Sequence, residues 1–501
     1  MRNNKKGFPV RVCNAAFSLA FTIFSLLQIS VSNAQTATSS PYSRYGLGDI
    51  NGKSNGQSFA MGGTGIALQN DSLPMFFINT ANPASYCSSR LTTADFGINY
   101  QQMQLESSST KKTINSASLG YMTLAFPFKK WWGACVGLMP YSSVGYKITD
   151  NLPIDNVGNV DYLYEGSGGI NQLFFGNGIK PFYALPRMFT KSTKYKQLIA
   201  KKNADNTLKS DSAKRVDLCL MNSIMKRRKE AQAISLGVNF SYLFGGIDHS
   251  RRTIFPATYG DYNTSTGTTT RISDVYLDYG LQYAHTIDSV RGRELKRKVK
   301  LLFGVTFAAQ TNINAKTDSL TYNYYDYQGY ESVRDTVENN QNYQGKITLP
   351  LSLGVGVGFK KGDRLMVMAD LAMQNWSSYQ AFNQPGGLKN SMRVSLGAQM
   401  VPNSKALQKQ YLSRMSYRIG VRYAQTALEL KSTQLTEQAI TCGFGFPVGR
   451  NYLLQNFSMI NVGFEIGQRG TVNNDLIKES FFKATLGFTI NDRWFVKPKF
   501  D

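Results

Sequence analysis

From about Leu91 onward the chain repeats one unit: ten to eighteen residues alternate between apolar or aromatic side chains and small or polar ones, and a turn follows. A strand sends successive side chains to opposite faces. Alternation over such lengths therefore describes a strand with two different surroundings. Leu236 to Tyr242, Leu351 to Phe359, Met459 to Ile466 and Phe482 to Ile490 show it plainly. Fourteen segments fit, beginning near Leu91, Thr113, Trp131, Leu163, Ala231, Arg271, Val299, Gln344, Arg364, Ser391, Ser413, Glu437, Phe457 and Ser480. An even number of antiparallel strands with one apolar face predicts an all-β transmembrane barrel.

The connections support this order. Both termini of such a barrel belong on the periplasmic side, with short turns there and long loops outside. Phe128-Lys129-Lys130 and Lys361-Gly362-Asp363 then fall inside as tight turns. Asp248 to Thr270 and Lys316 to Tyr343 fall outside and read as long loops. Residues 181–230 form a periplasmic insertion of another character. Arg187 to Lys229 carries thirteen Lys or Arg against three acids. Its second half has the spacing of an amphipathic helix, with Ser212 as N-cap, Val216, Leu220 and Ile224 on one face, and cations at the C-terminal end. Lys214, Arg215, Lys226, Arg227, Arg228 and Lys229 are the candidate residues for docking an acidic partner or lipid head groups. Pro498 would interrupt a strand ladder, so the sealing strand ends before about Asn491.

Composition agrees with a membrane barrel. Charged residues make up 18%, against 44 Gly, 28 Tyr and 30 Phe, so turn formers and aromatics outweigh the solvating groups of a soluble protein. The one long apolar run, Val12 to Val31, follows Arg2, Lys5, Lys6 and Arg11 and precedes Ser32-Asn33-Ala34. This is the form of a signal peptide over residues 1–34, and it implies an outer-membrane protein of a diderm bacterium. The formal charge of +24 suits contact with anionic lipids or an acidic partner; the compartment excludes nucleic acid. Cys87, Cys135, Cys219 and Cys442 are dispersed, without zinc or disulfide spacing.

Residues 35–90 are small-residue rich and not strand-like. They contain Ser40-Pro41-Tyr42-Ser43-Arg44-Tyr45-Gly46-Leu47-Gly48, Ala60-Met61-Gly62-Gly63-Thr64-Gly65-Ile66-Ala67 and Asn79-Thr80-Ala81-Asn82-Pro83-Ala84. A Gly-rich stretch, Asp71, and then Asn82-Pro83-Ala84 before the first strand resembles the FadL-type long-chain fatty-acid transporters. Ala125-Phe126-Pro127, Trp132 to Tyr141, the Asp370 and Trp376 segment, Arg393 to Pro402 and Arg418 to Tyr423 are similar to later parts of that family. The resemblance implies a barrel over residues 91–501 of about fourteen strands, with residues 35–90 folded into the lumen as a hatch. It implies a hydrophobic small-molecule ligand, held against the hatch and released sideways into the membrane. Gly62, Gly63 and Gly65 are then candidate hinges. Met61, Met75, Phe76 and Phe77 are candidate lining residues, with plain hatch packing as the alternative.

No cofactor, metal or catalytic constellation is expected. His249 and His285 have no partners at ligand spacing, and the Gly-rich runs lack a phosphate loop's lysine. Asp370, in a strand, is expected to face the lumen and pair with a cation, since charge on the lipid face is costly. Two roles remain open. One is uptake of hydrophobic compounds, long-chain fatty acids among them. The other, favoured by the basic insertion, is a non-enzymatic subunit of a multiprotein assembly for protein insertion or export, contacting other outer-membrane or periplasmic proteins.

Overall fold

The computed structural model describes residues 40–69, 77–183, 234–256, 262–287, 299–327, 330–404, 406, 410–451 and 456–492. The expected signal peptide, the basic cluster from Lys214 to Lys229 and the tail after Asp492 lie outside them. Fourteen wall strands, each antiparallel to the next, close into a barrel. They are β1 Thr92–Glu106, β2 Lys111–Lys129, β3 Trp132–Ile154, β4 Gly158–Ile179, β5 Ile234–Ile254 and β6 Asn263–Ile287. β7 is Val299–Ala308 continued by Thr311–Tyr327, and β8 is Tyr330–Leu349 continued by Ser352–Lys361. β9 Leu365–Gln374, β10 Ser391–Met400, β11 Ser416–Leu430, β12 Thr433–Asn451, β13 Asn456–Arg469 and β14 Lys478–Asp492 complete the wall. β14 closes on β1, with Lys478 opposite Glu106 and Asp492 opposite Thr92.

The alternation in the sequence is the wall itself. Along β8, Leu353, Val355, Val357 and Phe359 are exposed, while Gly354 and Gly356 between them are buried. Elsewhere the outside carries Met122, Phe240, Ile440 and Ile466, the last 67% exposed. Apolar surface on this scale is stable only against lipid. Among the described residues no helix is long and apolar enough to cross a membrane; strands make the crossing, and the protein belongs to the outer membrane.

Above the lipid-facing band the wall continues on one side, and two expectations are corrected there. Asp248 to Thr270 and Lys316 to Tyr343 are largely strand rather than loop. β5 runs on to Ile254, β6 starts at Asn263, and the outer halves of β7 and β8 pair from Thr311↔Leu349 to Tyr327↔Tyr330. Thr- and Tyr-rich sequence keeps its β preference without an apolar face, so polarity on both sides hid the strands. β8 breaks after Leu349, where Pro350 lacks the N–H that the ladder needs. Inside this raised sheet Leu47, Val144, Ile170, Leu243, Ile313, Ile347, Leu349 and Trp376 form an apolar core.

Candidate functional site: the hatch and the chamber above it

The chain before β1 runs down through the lumen. Its first described residue, Ser40, lies at the outer end, where its hydroxyl donates to Glu479 at 2.5 Å. The mature end expected at Gln35 lies outside the described residues. β14 starts outside, and Glu479 stands beside its first residue. Arg469 holds the same corner, bridging Asp49 at 2.8 Å and Glu479 at 2.6 Å. Burial pushes the Tyr42 phenol up to about 12. From there Asp49–Ile50 pairs with Ser142 and Ser143 of β3. A one-turn helix, Gly56–Phe59, follows behind the Asn55 capping box.

Below that helix the hatch lies backbone-on on the wall. Its seats are glycines on the lumen face, and many of them oppose one another across the ladders. Gly133, Gly178, Gly237 and Gly280 form one run. Gly304↔Gly356 and Gly397↔Gly420 are further pairs that meet hatch backbone, Gly443↔Gly463 meets the side chains of Phe59 and Ala60, and Gly97 of the pair Gly487↔Gly97 meets Tyr121 of the wall. A Cβ at Gly237 would lie 2.3 Å from Ala84 N, one at Gly304 2.2 Å from Ile66 O, and one at Gly397 2.3 Å from Met61 O. Only glycine lets two backbones come this close.

Side chains then lock the seated backbone. Asp370 faces the lumen as expected, but its Oδ2 accepts from the hatch amides of Gly65 at 2.6 Å and Ile66 at 2.9 Å, not from a cation. Asn82 caps the short helix Pro83–Ser88 through Oδ1, which accepts from Ala84 N at 3.0 Å. Its Nδ2 donates to Ile66 O, Leu281 O and Val305 O, joining hatch to hatch and to two strands. Asn79 donates to Gly65 O and Leu68 O. Gln282 donates to Ile66 O from the wall.

Of the sequence candidates, Gly62 and Gly63 have φ of +70° and +79°, the left-handed turn that glycine favours. Gly62 donates to Thr441 Oγ1 at 2.8 Å, so it is fastened in this state. Asn82, Pro83 and Ala84 are all buried against the wall. Met61 and Phe77 are packed with Ala67, Leu68, Leu302, Met366 and Met368 into a filled apolar cluster. Asp71, Met75 and Phe76 lie outside the described residues. The run Gly354-Val355-Gly356-Val357-Gly358 reads from sequence as small residues at a close-packed wall; the other wall glycines were missed, although glycine at lumen-facing positions in nearly every strand is a legible signal. Arg393, Arg422 and Arg469 carry no sequence signal that separates them from other arginines.

Above the hatch is a chamber of about 480 Å³. Tyr45, Tyr141, Tyr276, Trp376 and Phe481 give it apolar walls, and charged side chains share them. Arg422 pairs with Glu437 at 2.7 Å and Glu465 at 2.9 Å, and Lys53 pairs with Asp278 at 2.7 Å. Lys483 lies 3.5 Å from Glu465. Among the described residues no cluster of His, Cys, Asp and Glu suits a metal ion.

Comparison with known proteins gives a family and a fold. The BamG family profile matches residues 18–187 and 228–501. No curated protein sequence matches. Among solved structures a Pseudomonas aeruginosa FadL homologue has a TM-score of 0.50 at 10% identity, over 89% of this chain and 99% of that one. The Ralstonia pickettii toluene transporter TbuX scores 0.48 at 12% identity, over 88% and 99% of the two chains. The FadL-type fold expected from the sequence is the fold observed.

Proposed function

Taking as premise that this chain belongs to the BamG family, we propose that it is a non-enzymatic barrel subunit of a multiprotein outer-membrane assembly, of the kind that inserts or exports proteins. The observation that carries this reading is the seating of the hatch. Its backbone rests on wall glycines around the ring, and the apolar cluster at Met61 and Phe77 is filled. A route for hydrocarbon past such a plug requires breaking many buried polar contacts at once. Each costs about 1–3 kcal/mol when left unmet. The BamG family is also a different family from the FadL-type transporters, so the shared barrel does not bring their activity with it. The basic segment from Arg187 to Lys229, with Lys214, Arg215 and Lys226 to Lys229, is proposed as the docking element for an acidic partner.

A second reading is uptake of hydrophobic compounds, with long-chain fatty acids as one class. The aromatic side chains of the outer chamber favour it. The test is extraction in mild detergent and affinity purification, with mass spectrometry of co-purifying proteins and lipids. A fixed set of partner proteins, lost when residues 187–229 are deleted, is the expected result. A lone barrel carrying stoichiometric fatty acid would overturn the assembly reading and establish the second.

A further inference from the structure

We infer that the chamber above the hatch is a binding site for a small organic oxyanion, and that Arg393 is the residue that takes its charge. Five cationic side chains line the chamber beside six carboxylates, Asp49, Asp278, Asp370, Glu437, Glu465 and Glu479. Four touch carboxylates: Lys53 meets Asp278, Arg422 meets Glu437 and Glu465, Arg469 meets Asp49 and Glu479, and Lys483 meets Glu465. Arg393 is partly buried on β10, and its guanidinium makes no hydrogen bond or ion pair among the described residues. Asp370, Glu437 and Glu465 attract it only through space, and Arg422 repels it. Asp370 gives Oδ2 to the hatch amides, and Glu437 and Glu465 each give Oε1 to Arg422, while Asp370 Oδ1 and Glu465 Oε2 have no hydrogen-bond partner.

A guanidinium offers five N–H donors in a fork that matches carboxylate and phosphate oxygens. In a walled chamber those donors need acceptors, and among the described residues none is within hydrogen-bond distance of the Arg393 guanidinium, although Asp370 Oδ1 and Glu465 Oε2 have no hydrogen-bond partner of their own. The chamber's volume is in the range of small-molecule sites, and its aromatic walls suit an apolar or aromatic body behind the charged group. Because three carboxylates stand nearby, the oxyanion gains less than it would at an isolated arginine. Affinity in the roughly millimolar range is expected. This inference does not depend on the assembly reading: a subunit can carry such a site, and so can a transporter.

The test is equilibrium binding to the purified full-length protein with three probes of one size: benzoate, phenyl phosphate and benzyl alcohol. Either anion is expected to bind at least about tenfold more tightly than the alcohol, the effect of one charge-assisted contact. Preference for benzoate assigns the site to carboxylates, and preference for phenyl phosphate assigns it to phosphate esters. Arg393→Gln should erase the preference for anions, while Arg393→Lys should keep part of it. Gly52→Val gives an independent check. A Cβ at Gly52 would lie 3.4 Å from Arg393 Nη1 with no other atom within 4 Å, so the larger side chain covers the guanidinium without striking the wall. It should reduce anion binding in a barrel that still migrates as folded in an unheated gel. Equal binding of benzyl alcohol and the anions, no saturation by either anion, or wild-type benzoate binding in a folded Arg393→Gln protein would each overturn the site.

Discussion

Replacing Gly237 by alanine should loosen the hatch without unfolding the barrel. The added Cβ would stand 2.3 Å from Ala84 N and from Pro83 C. Ordinary contact begins near 3.4 Å, so one backbone must move by about 1 Å. The wall is tied into ladders on both sides, whereas the hatch is held by side-chain contacts, so the hatch gives way. Overpacking of this kind costs about 1–3 kcal/mol. At about 1.4 kcal/mol per factor of ten, the population with a displaced hatch rises roughly 5- to 150-fold. Cys87 reports it. The thiol is buried next to Ala84, its Sγ donates to Ala84 O at 3.2 Å, and burial pushes its pKa up. Only the thiolate reacts quickly. In a background with Cys135, Cys219 and Cys442 replaced, Cys87 of the parent protein should label slowly with maleimide, and Gly237→Ala should speed it by that factor. Gly267→Ala serves as control, since a Cβ there meets nothing within 4 Å. Equal labelling rates in the two folded variants would refute the backbone-on-glycine seat.

Asn82→Asp should release the hatch more than Asn82→Ala does, because the new carboxylate would face Ile66 O, Leu281 O and Val305 O; Cys87 labelling ranks the two. Asp370→Asn retains an acceptor oxygen but loses the charge that binds Gly65 N and Ile66 N. It should weaken the seat by about 1–2 kcal/mol, read as roughly tenfold faster labelling. Arg469→Ala removes the cation that Asp49 and Glu479 share at a buried corner, a loss of about 3–5 kcal/mol. Trypsin should then cut after the exposed Arg44 far sooner than in the parent. The same corner should loosen with alkali. The Tyr42 phenol titrates at about 12 when folded and lower when released, so its contribution is complete below the free-phenol value and is lost as pH rises through about 12. Trypsin sensitivity at Arg44 that stays flat up to that range would contradict this.

The sequence by itself determined the barrel. Alternation with period two survives in a wall that has lipid on one side and packed residues on the other, so the starts of strands such as Trp132, Val299 and Ser391 were legible to within a residue. Where the wall rises into water that contrast disappears, and the outer halves of β7 and β8 read as loops. The segment before β1 was legible as something other than strand, from its small residues and from Asn82-Pro83-Ala84. Its contacts were not. That Gly237 meets Ala84, that Asp370 serves the amides of Gly65 and Ile66, and that Arg469 reaches Asp49 are pairings between residues more than a hundred positions apart. Periodicity fixes which face a side chain is on. It does not fix what stands across a lumen from it, because that distance is set by strand number and stagger around the closed ring. Only closure brought Arg393 into a chamber whose other cations were already paired, and a sequence cannot show which of several arginines is left over.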